Sequence, residues 1–374
     1  MIFVPFYRLK KGMKVADNIS LSDKSDKKIT GAFLLRKGTI LTQDNIDRLE
    51  RFDISGVYIE DGRKNPVLDE KLRRESVCIL NQIFDLCENT QAILNEATIK
   101  QIESISNKLV DNIYKNEEIS VSISDLQTYD MNTYMHSLSV AVISIAIGTA
   151  LYLDKKSLCR LGVSALLHDI GKLKIPIEII NKPSKLTEEE YEIIKFHPQF
   201  GGDYVMENES ISQDIYEGIV SHHEKVNGTG YPNKLKGNDI PLFGKIISVA
   251  DVYDALTGKR AYREPVKPSE AVEYIMAGVG SSFDYDIVKA FLKRIEPYPI
   301  GACVRLSDKR HGIVIKGNRE NPLRPVIKII NSNSKEKIID LQNDPDSINI
   351  VISDIDYNYL VTMNKNENCV WLKK

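Results

Sequence analysis

At 374 residues the chain is too long for one ordinary compact core, so two or three domains are expected. Its 42% apolar content is enough to fill such cores and excludes a disordered chain. Lys plus Arg number 50 against 52 Asp plus Glu, so no global field draws it to nucleic acid or to an acidic membrane.

The first region, residues 1–66, reads as a small α/β module. Val4–Leu9, Ala32–Leu35 and Ile54–Ile59 carry strand patterns, punctuated by Gly12, Gly31 and Gly38. Thr42 and Asp44 can cap a short helix that bears Ile46 and Leu49 on one face. From residue 67 to 127 the period changes to three and four. Ile79, Ile83 and Leu86, then Ile99, Ile102, Ile105, Leu109 and Ile113, form two apolar stripes of a helical connector. The stripes are too irregular for heptads, so packing on a core is favoured over a coiled coil.

Residues 128–296 are helix-rich and contain the chemistry. Beyond them, residues 297–374 turn β-rich, with strand patterns at Cys303–Leu306, Ile313–Ile315, Pro325–Ile330, Lys337–Leu341 and Ile348–Ile352. A small β domain is expected there, with a barrel-like sheet as one form and His311 in a turn. The five cysteines (Cys78, Cys87, Cys159, Cys303 and Cys369) are scattered and lack a C-x-x-C pair, so they read as reduced thiols. The longest apolar run, Val140 to Leu153, falls short of the about 20 residues a bilayer requires. A cytoplasmic protein is expected, with no membrane and no nucleic-acid partner.

Of six histidines, five lie between His136 and His223. His136 interrupts the apolar helical pattern of residues 131–151. His168 and Asp169 close the apolar run Ala165-Leu166-Leu167, where burying polar groups without partners costs several kcal/mol. His197 opens a segment ahead of Pro198, His222-His223 follow Ile219-Val220, and Asp251 sits inside another apolar run. Together His136, His168, Asp169, His197, His222, His223 and Asp251 supply ligands for two metal ions with open positions, the mark of a catalytic site. Imidazole mixed with carboxylate suits Fe, Mn, Zn or a similar ion. Asp169 can bridge the pair and so counts as catalytic.

Residues 168–172 (His-Asp-Ile-Gly-Lys), His197-Pro198, His222-His223-Glu224, Gly228 and Gly230-Tyr231-Pro232, and residues 249–256 around Asp251 follow in an order that resembles the HD-GYP family. The resemblance covers residues 128–295. It implies an all-α HD-superfamily helical core, flanked here by the N-terminal α/β module and the C-terminal β-rich domain. It also implies metal-dependent hydrolysis of cyclic di-GMP to the linear dinucleotide, or onward to GMP, by water activated at the metal. The same seven residues match the family's metal ligands. The cofactors expected are two divalent metal ions, Fe or Mn ahead of other transition metals. Lys172, Arg260 and Arg263 fall where the family sets cations against substrate phosphates, and Lys172 also counts as catalytic. Gly228, Gly230, Tyr231 and Pro232 match the loop beside the substrate. Asn132 stands where three-metal members carry Glu, so two ions are expected. The partners implied are cyclic di-GMP and proteins of cyclic di-GMP signalling, and a homodimer is compatible.

Two other readings stay open: a non-catalytic cyclic di-GMP sensor, and a phosphohydrolase of another cyclic dinucleotide or nucleotide. Glu224 reads as a residue orienting a ligand or water, or as an exposed helix-face glutamate. Gly201-Gly202-Asp203 resembles the start of a cyclase signature, but it lies in a helical stretch and is given no cyclase role.

Overall fold

The computed structural model describes residues 2–6, 9–16, 18–22, 29–52, 54, 56–60, 68, 70–90, 94–114, 121, 133–180, 182, 184–208, 211–258, 265–330 and 337–356. Asn132, Arg260, Arg263 and Cys369 lie outside them. The described residues divide into two units, one from 67–121 and 132–295, the other from 1–66 and 296–374.

In the N-terminal segment, β1 (Ile2–Pro5) pairs antiparallel with β4 (Gly56–Ile59), setting Val4 opposite Val57. Strands β2 (Ile19–Ser22) and β3 (Ile29–Leu35) form an antiparallel pair, and β2 carries no strand signal strong enough to stand out in the sequence. Helix α1 (Gln43–Arg51) starts at Thr42, whose hydroxyl accepts from Asn45 N while the Asn45 side chain returns to Thr42 N. Its Ile46 and Leu49 join Val4, Met13, Leu41 and Val57 in one apolar cluster.

The helical unit begins with α2 (Glu70–Thr90) and α3 (Glu96–Tyr114). The stripe Ile99, Ile102, Ile105, Leu109 and Ile113 is buried where α3 packs on α4 (Thr133–Ala150) and α5 (Lys155–Leu167). Nearly every residue of α4 from Ser137 to Gly148 is buried, because α3, α5 and α10 (Leu242–Thr257) surround it. A helix enclosed on all sides has no polar face to declare, which is why its sequence is apolar all round.

Between α5 and α10 the chain forms a 3-10 turn at Ile170–Lys174, then α6 (Ile177–Ile180), α7 (Glu188–Ile194), α8 (His197–Met206) and α9 (Gln213–Ser221). Thr187 and Glu190 cap α7 reciprocally, and Pro198 occupies the first turn of α8, where its missing N–H costs nothing. Helices α11 (Pro268–Ala277) and α12 (Tyr285–Leu292) pack against α10. Among the described residues no helix is long and apolar enough to cross a membrane.

The C-terminal segment is a five-stranded antiparallel sheet of β5 (Cys303–Leu306), β6 (His311–Lys316), β7 (Val326–Ile329), β8 (Lys337–Asp340) and β9 (Ile352–Ile355), in the order β8-β7-β6-β5-β9. Among the described residues β8 and β9 are the edges of this sheet, and no closed barrel is formed by them. The last strand falls four residues later than its pattern suggests. A 3-10 turn at Pro345–Ser347 precedes it, leaving Ile348 and Val351 exposed. His311 opens β6 rather than lying in the turn. Val304, Leu306, Val314, Ile327, Ile339 and Ile352 fill the core on one face.

Candidate metal centre and substrate loop

Five helices bring their ends or faces to one place in the helical unit. His136 projects from α4. His168 and Asp169 follow the last turn of α5, His197 opens α8, His222 and His223 follow α9, and Asp251 lies on α10. All seven residues named from the sequence converge. One ligand atom from each of His136, His168 and Asp251 lies within 4.8 Å of the others, and the same holds for His168, Asp169 and His222, and for His197, His222 and His223. Asp169 stands at the junction, with Oδ1 3.3 Å from His197 Nε2 and Oδ2 3.5 Å from His168 Nε2 and 3.8 Å from His136 Nε2.

Three of the rings are aimed by one device. His168 Nδ1 donates to Ala165 O at 2.8 Å, His197 Nδ1 to Ile194 O at 2.8 Å and His222 Nδ1 to Ile219 O at 2.6 Å. Each carbonyl is the one three residues earlier, at a helix end that leaves it without an intrahelical partner. A carbonyl only accepts, so Nδ1 holds the proton and Nε2 keeps a lone pair. His136 is aimed by a different partner: its Nδ1 lies 2.7 Å from Asp254 Oδ2 and its Nε2 3.1 Å from Asp251 Oδ1. Asp254 was not singled out from the sequence, although its three-residue spacing from Asp251 on one helix face was the available signal.

This arrangement tests whether a metal fits. His197 Nε2 and His222 Nε2 face each other at 3.3 Å with lone pairs on both, and His197 Nε2 faces Asp169 Oδ1 in the same way. His168 Nε2 and Asp169 Oδ1 are buried and have no hydrogen-bond partner. Each such orphan costs about 1–3 kcal/mol, and converging lone pairs add repulsion. A cation relieves all of them at once, and imidazole nitrogen with carboxylate oxygen is a donor set for transition ions. The residues fit the group.

The electrostatics agree. Burial depresses His168, and burial with the neighbouring His223 and His168 holds His222 well below the usual range. His223 is pulled down to about 3, chiefly by burial. These imidazoles are uncharged at neutral pH. Burial would also lower His136, but Asp251 and Asp254 outweigh it and push the ring up to about 9. Burial would raise Asp169, yet Lys172 and His168 hold it well below the carboxylate range; His136 does the same for Asp251. Lys172 Nζ sits 2.5 Å from Asp169 Oδ2 with its side chain about one-third exposed.

The loop after His223 borders the same cluster. The Tyr231 ring lies 4.7 Å from that of His223 and 6.5 Å from that of His197, centroid to centroid. Tyr231 N donates to His223 O at 3.2 Å. Gly228 has φ +79, and a Cβ on Gly230 would come within 2.4–2.6 Å of the backbone of Glu224 and Lys225, so no side chain fits there. Pro232 follows Tyr231 through a cis peptide bond. Glu224 is neither an exposed helix glutamate nor a residue facing the cluster. It is buried and accepts from Asn233 N at 2.7 Å and Leu235 N at 3.0 Å, pinning the segment just beyond Pro232. Gly201, of the Gly-Gly-Asp triplet, has a packing role. A Cβ on Gly171 would meet His197 O at 2.0 Å and Gly201 N at 2.4 Å, so paired glycines let the turn after Asp169 press against α8. Arg260 and Arg263 lie outside the described residues.

Known proteins match this chain in two stretches. Residues 116–287 match the HD domain, and residues 303–355 match the KOW domain associated with HD domain. A Pseudomonas aeruginosa protein named cyclic di-GMP phosphodiesterase is 37% identical over 209 residues, 56% of this chain and 50% of that protein. A Thermotoga maritima protein of the same name is 33% identical over 240 residues, 63% of this chain and 65% of that one. A Vibrio cholerae protein named 3'3'-cGAMP-specific phosphodiesterase 2 is 38% identical over 133 residues, 35% of this chain and 26% of its own length. The chain therefore spans between half and two thirds of the first two relatives. With His168-Asp169 at the centre of the cluster and Gly230-Tyr231-Pro232 on its border, residues 116–287 are an HD domain of the HD-GYP family.

Proposed function

We propose that this chain hydrolyses the phosphodiester bonds of cyclic di-GMP. It would do so with two divalent ions, Fe or Mn ahead of other transition metals, held by His136, His168, Asp169, His197, His222, His223 and Asp251. The observation that carries the reading is the meeting of proton-free imidazole nitrogens with the orphaned oxygen of Asp169 in a buried site. When bound, such ions lower the pKa of water towards about 7 and offset phosphate charge. Asp169, with an oxygen towards each group of histidines, would be the residue that serves both ions. Lys172 holds Asp169 ionised and has the exposure to turn towards a phosphate oxygen. Arg260 and Arg263 take the remaining phosphate charge. Gly228, Gly230, Tyr231 and Pro232 form the wall beside the substrate. Water's oxygen bonds to phosphorus, the ribose oxygen leaves with a proton, and the linear dinucleotide is the first product. Asn132 in place of a carboxylate supports two ions over three. The division 1–66, 67–127, 128–296 and 297–374, with an α/β module first, is part of the same reading.

Two relatives are named for cyclic di-GMP, which supports this substrate; the third, named for 3'3'-cGAMP, favours a second reading in which another cyclic dinucleotide is cleaved. The test is to purify the protein anaerobically, count its metals and identify the products formed from cyclic di-GMP, with other cyclic dinucleotides as competitors. The parent is expected to cleave, and a His168→Ala, Asp169→Ala double variant to lose both ions and turnover. Parental rates in that variant would overturn the site. Preferential cleavage of a competitor would overturn the substrate alone.

A further inference from the structure

The C-terminal sheet carries a second set of donor atoms, away from its own core. Side chains alternate across a strand, so with Val304, Leu306 and Val314 on the core face, Cys303 and His311 fall on the other. Strand β5 lies between β6 and β9; His311 stands opposite Arg305, diagonal to Cys303, and Asp356 follows the β9 residue that pairs with Val304. Cys303 opens β5, His311 opens β6, and Asp356 directly follows β9. Asp356 N donates to Cys303 O at 2.7 Å, extending the β5–β9 pairing by one residue. His311 Nδ1 lies 2.8 Å from Asp356 Oδ2. One ligand atom from each of Cys303, His311 and Asp356 lies within 4.8 Å of the others. Cys303 is a free thiol only 3% exposed, although it is not part of the apolar cluster that fills the sheet's core.

We propose that Cys303, His311 and Asp356 bind a single divalent ion of the zinc class, separate from the HD-domain centre. A thiolate, an imidazole and a carboxylate form a borderline-soft donor set that zinc accepts in tetrahedral geometry. Three protein ligands leave the fourth position to water. Their spread within 4.8 Å needs only a small contraction to reach zinc bond lengths of about 2.0–2.3 Å. The ion has a way in, because the His311 side chain is 43% exposed while the thiol beneath it is enclosed. A Cys-His-Asp nucleophile is the competing assignment, and the thiol's surroundings argue against it. Burial, then Asp356, push Cys303 up to about 12, so the uncomplexed sulfur stays protonated and unreactive. Bound, the ion would tie β5, β6 and the end of β9 together where the described chain leaves the sheet.

Cobalt(II) distinguishes this site from the HD centre, because cobalt on a thiolate absorbs strongly in the near ultraviolet and no cysteine is among the seven HD-centre residues. The full chain is stripped with a chelator and titrated with cobalt. The band is expected in the parent and in the His168→Ala, Asp169→Ala variant, and zinc in excess over all the ion sites should bleach it. It should vanish in Cys303→Ser. His311→Ala alters a half-exposed side chain and so keeps the fold; it should need on the order of tenfold more cobalt, or more. No band in the parent at saturating cobalt, an undiminished band in Cys303→Ser, or parental cobalt affinity in His311→Ala would each overturn the assignment.

Discussion

His136 directs Nδ1 at Asp254 Oδ2 across 2.7 Å, while the opposite nitrogen of the same ring points at Asp251 Oδ1 across 3.1 Å. Two carboxylates three residues apart on α10 thus hold one imidazole from α4 at both ends. Asp251 shares the donor cluster, whereas Asp254 keeps the ring oriented and its Nδ1 protonated.

Replacing Asp254 by Asn keeps the shape and removes the charge that favours Nδ1–H. We expect metal affinity to fall on the order of 10–100-fold, with the helical fold intact and hydrolysis restored by excess ion. Metal content after dialysis, circular dichroism and turnover at high added Mn check this. Loss of turnover with full metal content and no rescue would refute a positioning role.

Metal uptake should release a proton, and His136 should supply it. Its pKa in the metal-free protein, about 9, lies above the ordinary 6.5. Its protonated form therefore stabilises the metal-free fold fully below about pH 6.5, and that contribution is lost as pH rises through about 9. His168, His222 and His223 are depressed and have no proton to give at neutral pH. In weakly buffered titrations from pH 7 to 8, His136 should add close to one proton per chain to any released by metal-bound water, and a His136→Ala variant should release that one proton fewer. Apparent affinity should rise by up to about tenfold per pH unit over that interval. Equal release from parent and variant would contradict it.

Glu224 predicts a change in substrate handling without a change in metal. Its buried carboxylate takes two backbone N–H groups, from Asn233 and Leu235. Glu224→Ala strands both at about 1–3 kcal/mol each, and Glu224→Gln turns an amide NH2 against one of them. Both variants should melt earlier and show a raised KM for cyclic di-GMP while binding parental amounts of metal. An unchanged KM in both would remove the loop from substrate binding.

Gly230→Ala forces a methyl against backbone at 2.4–2.6 Å from Glu224 and Lys225, which no side-chain rotation can relieve. The Tyr231 ring must move off His223. Turnover should fall at least about tenfold, a barrier increase of about 1.4 kcal/mol, with metal content retained. Parental kinetics would show that the loop tolerates displacement.

The donor set of the candidate metal centre was legible in the sequence because it is carried by residue types that are costly to bury. His168, Asp169 and Asp251 interrupt apolar runs, and such interruptions announce themselves without coordinates. The cap at Thr42 and the stripe on α3 were legible for a related reason: both follow from local periodicity and local hydrogen bonding. Other features depended on distant backbone. Gly171 meets Gly201, Glu224 reaches past Pro232, and β9 starts four residues late because a 3-10 turn precedes it.

Asp254 and the Cys303–His311–Asp356 cluster make the same division plain. Sequence alone determined which residues could donate to a cation, since donor chemistry belongs to the side chain. Only the tertiary structure decided which donors share a site and which nitrogen of each ring carries the proton. Those choices rest on contacts of about 3 Å between residues as many as 118 positions apart, which no local pattern encodes.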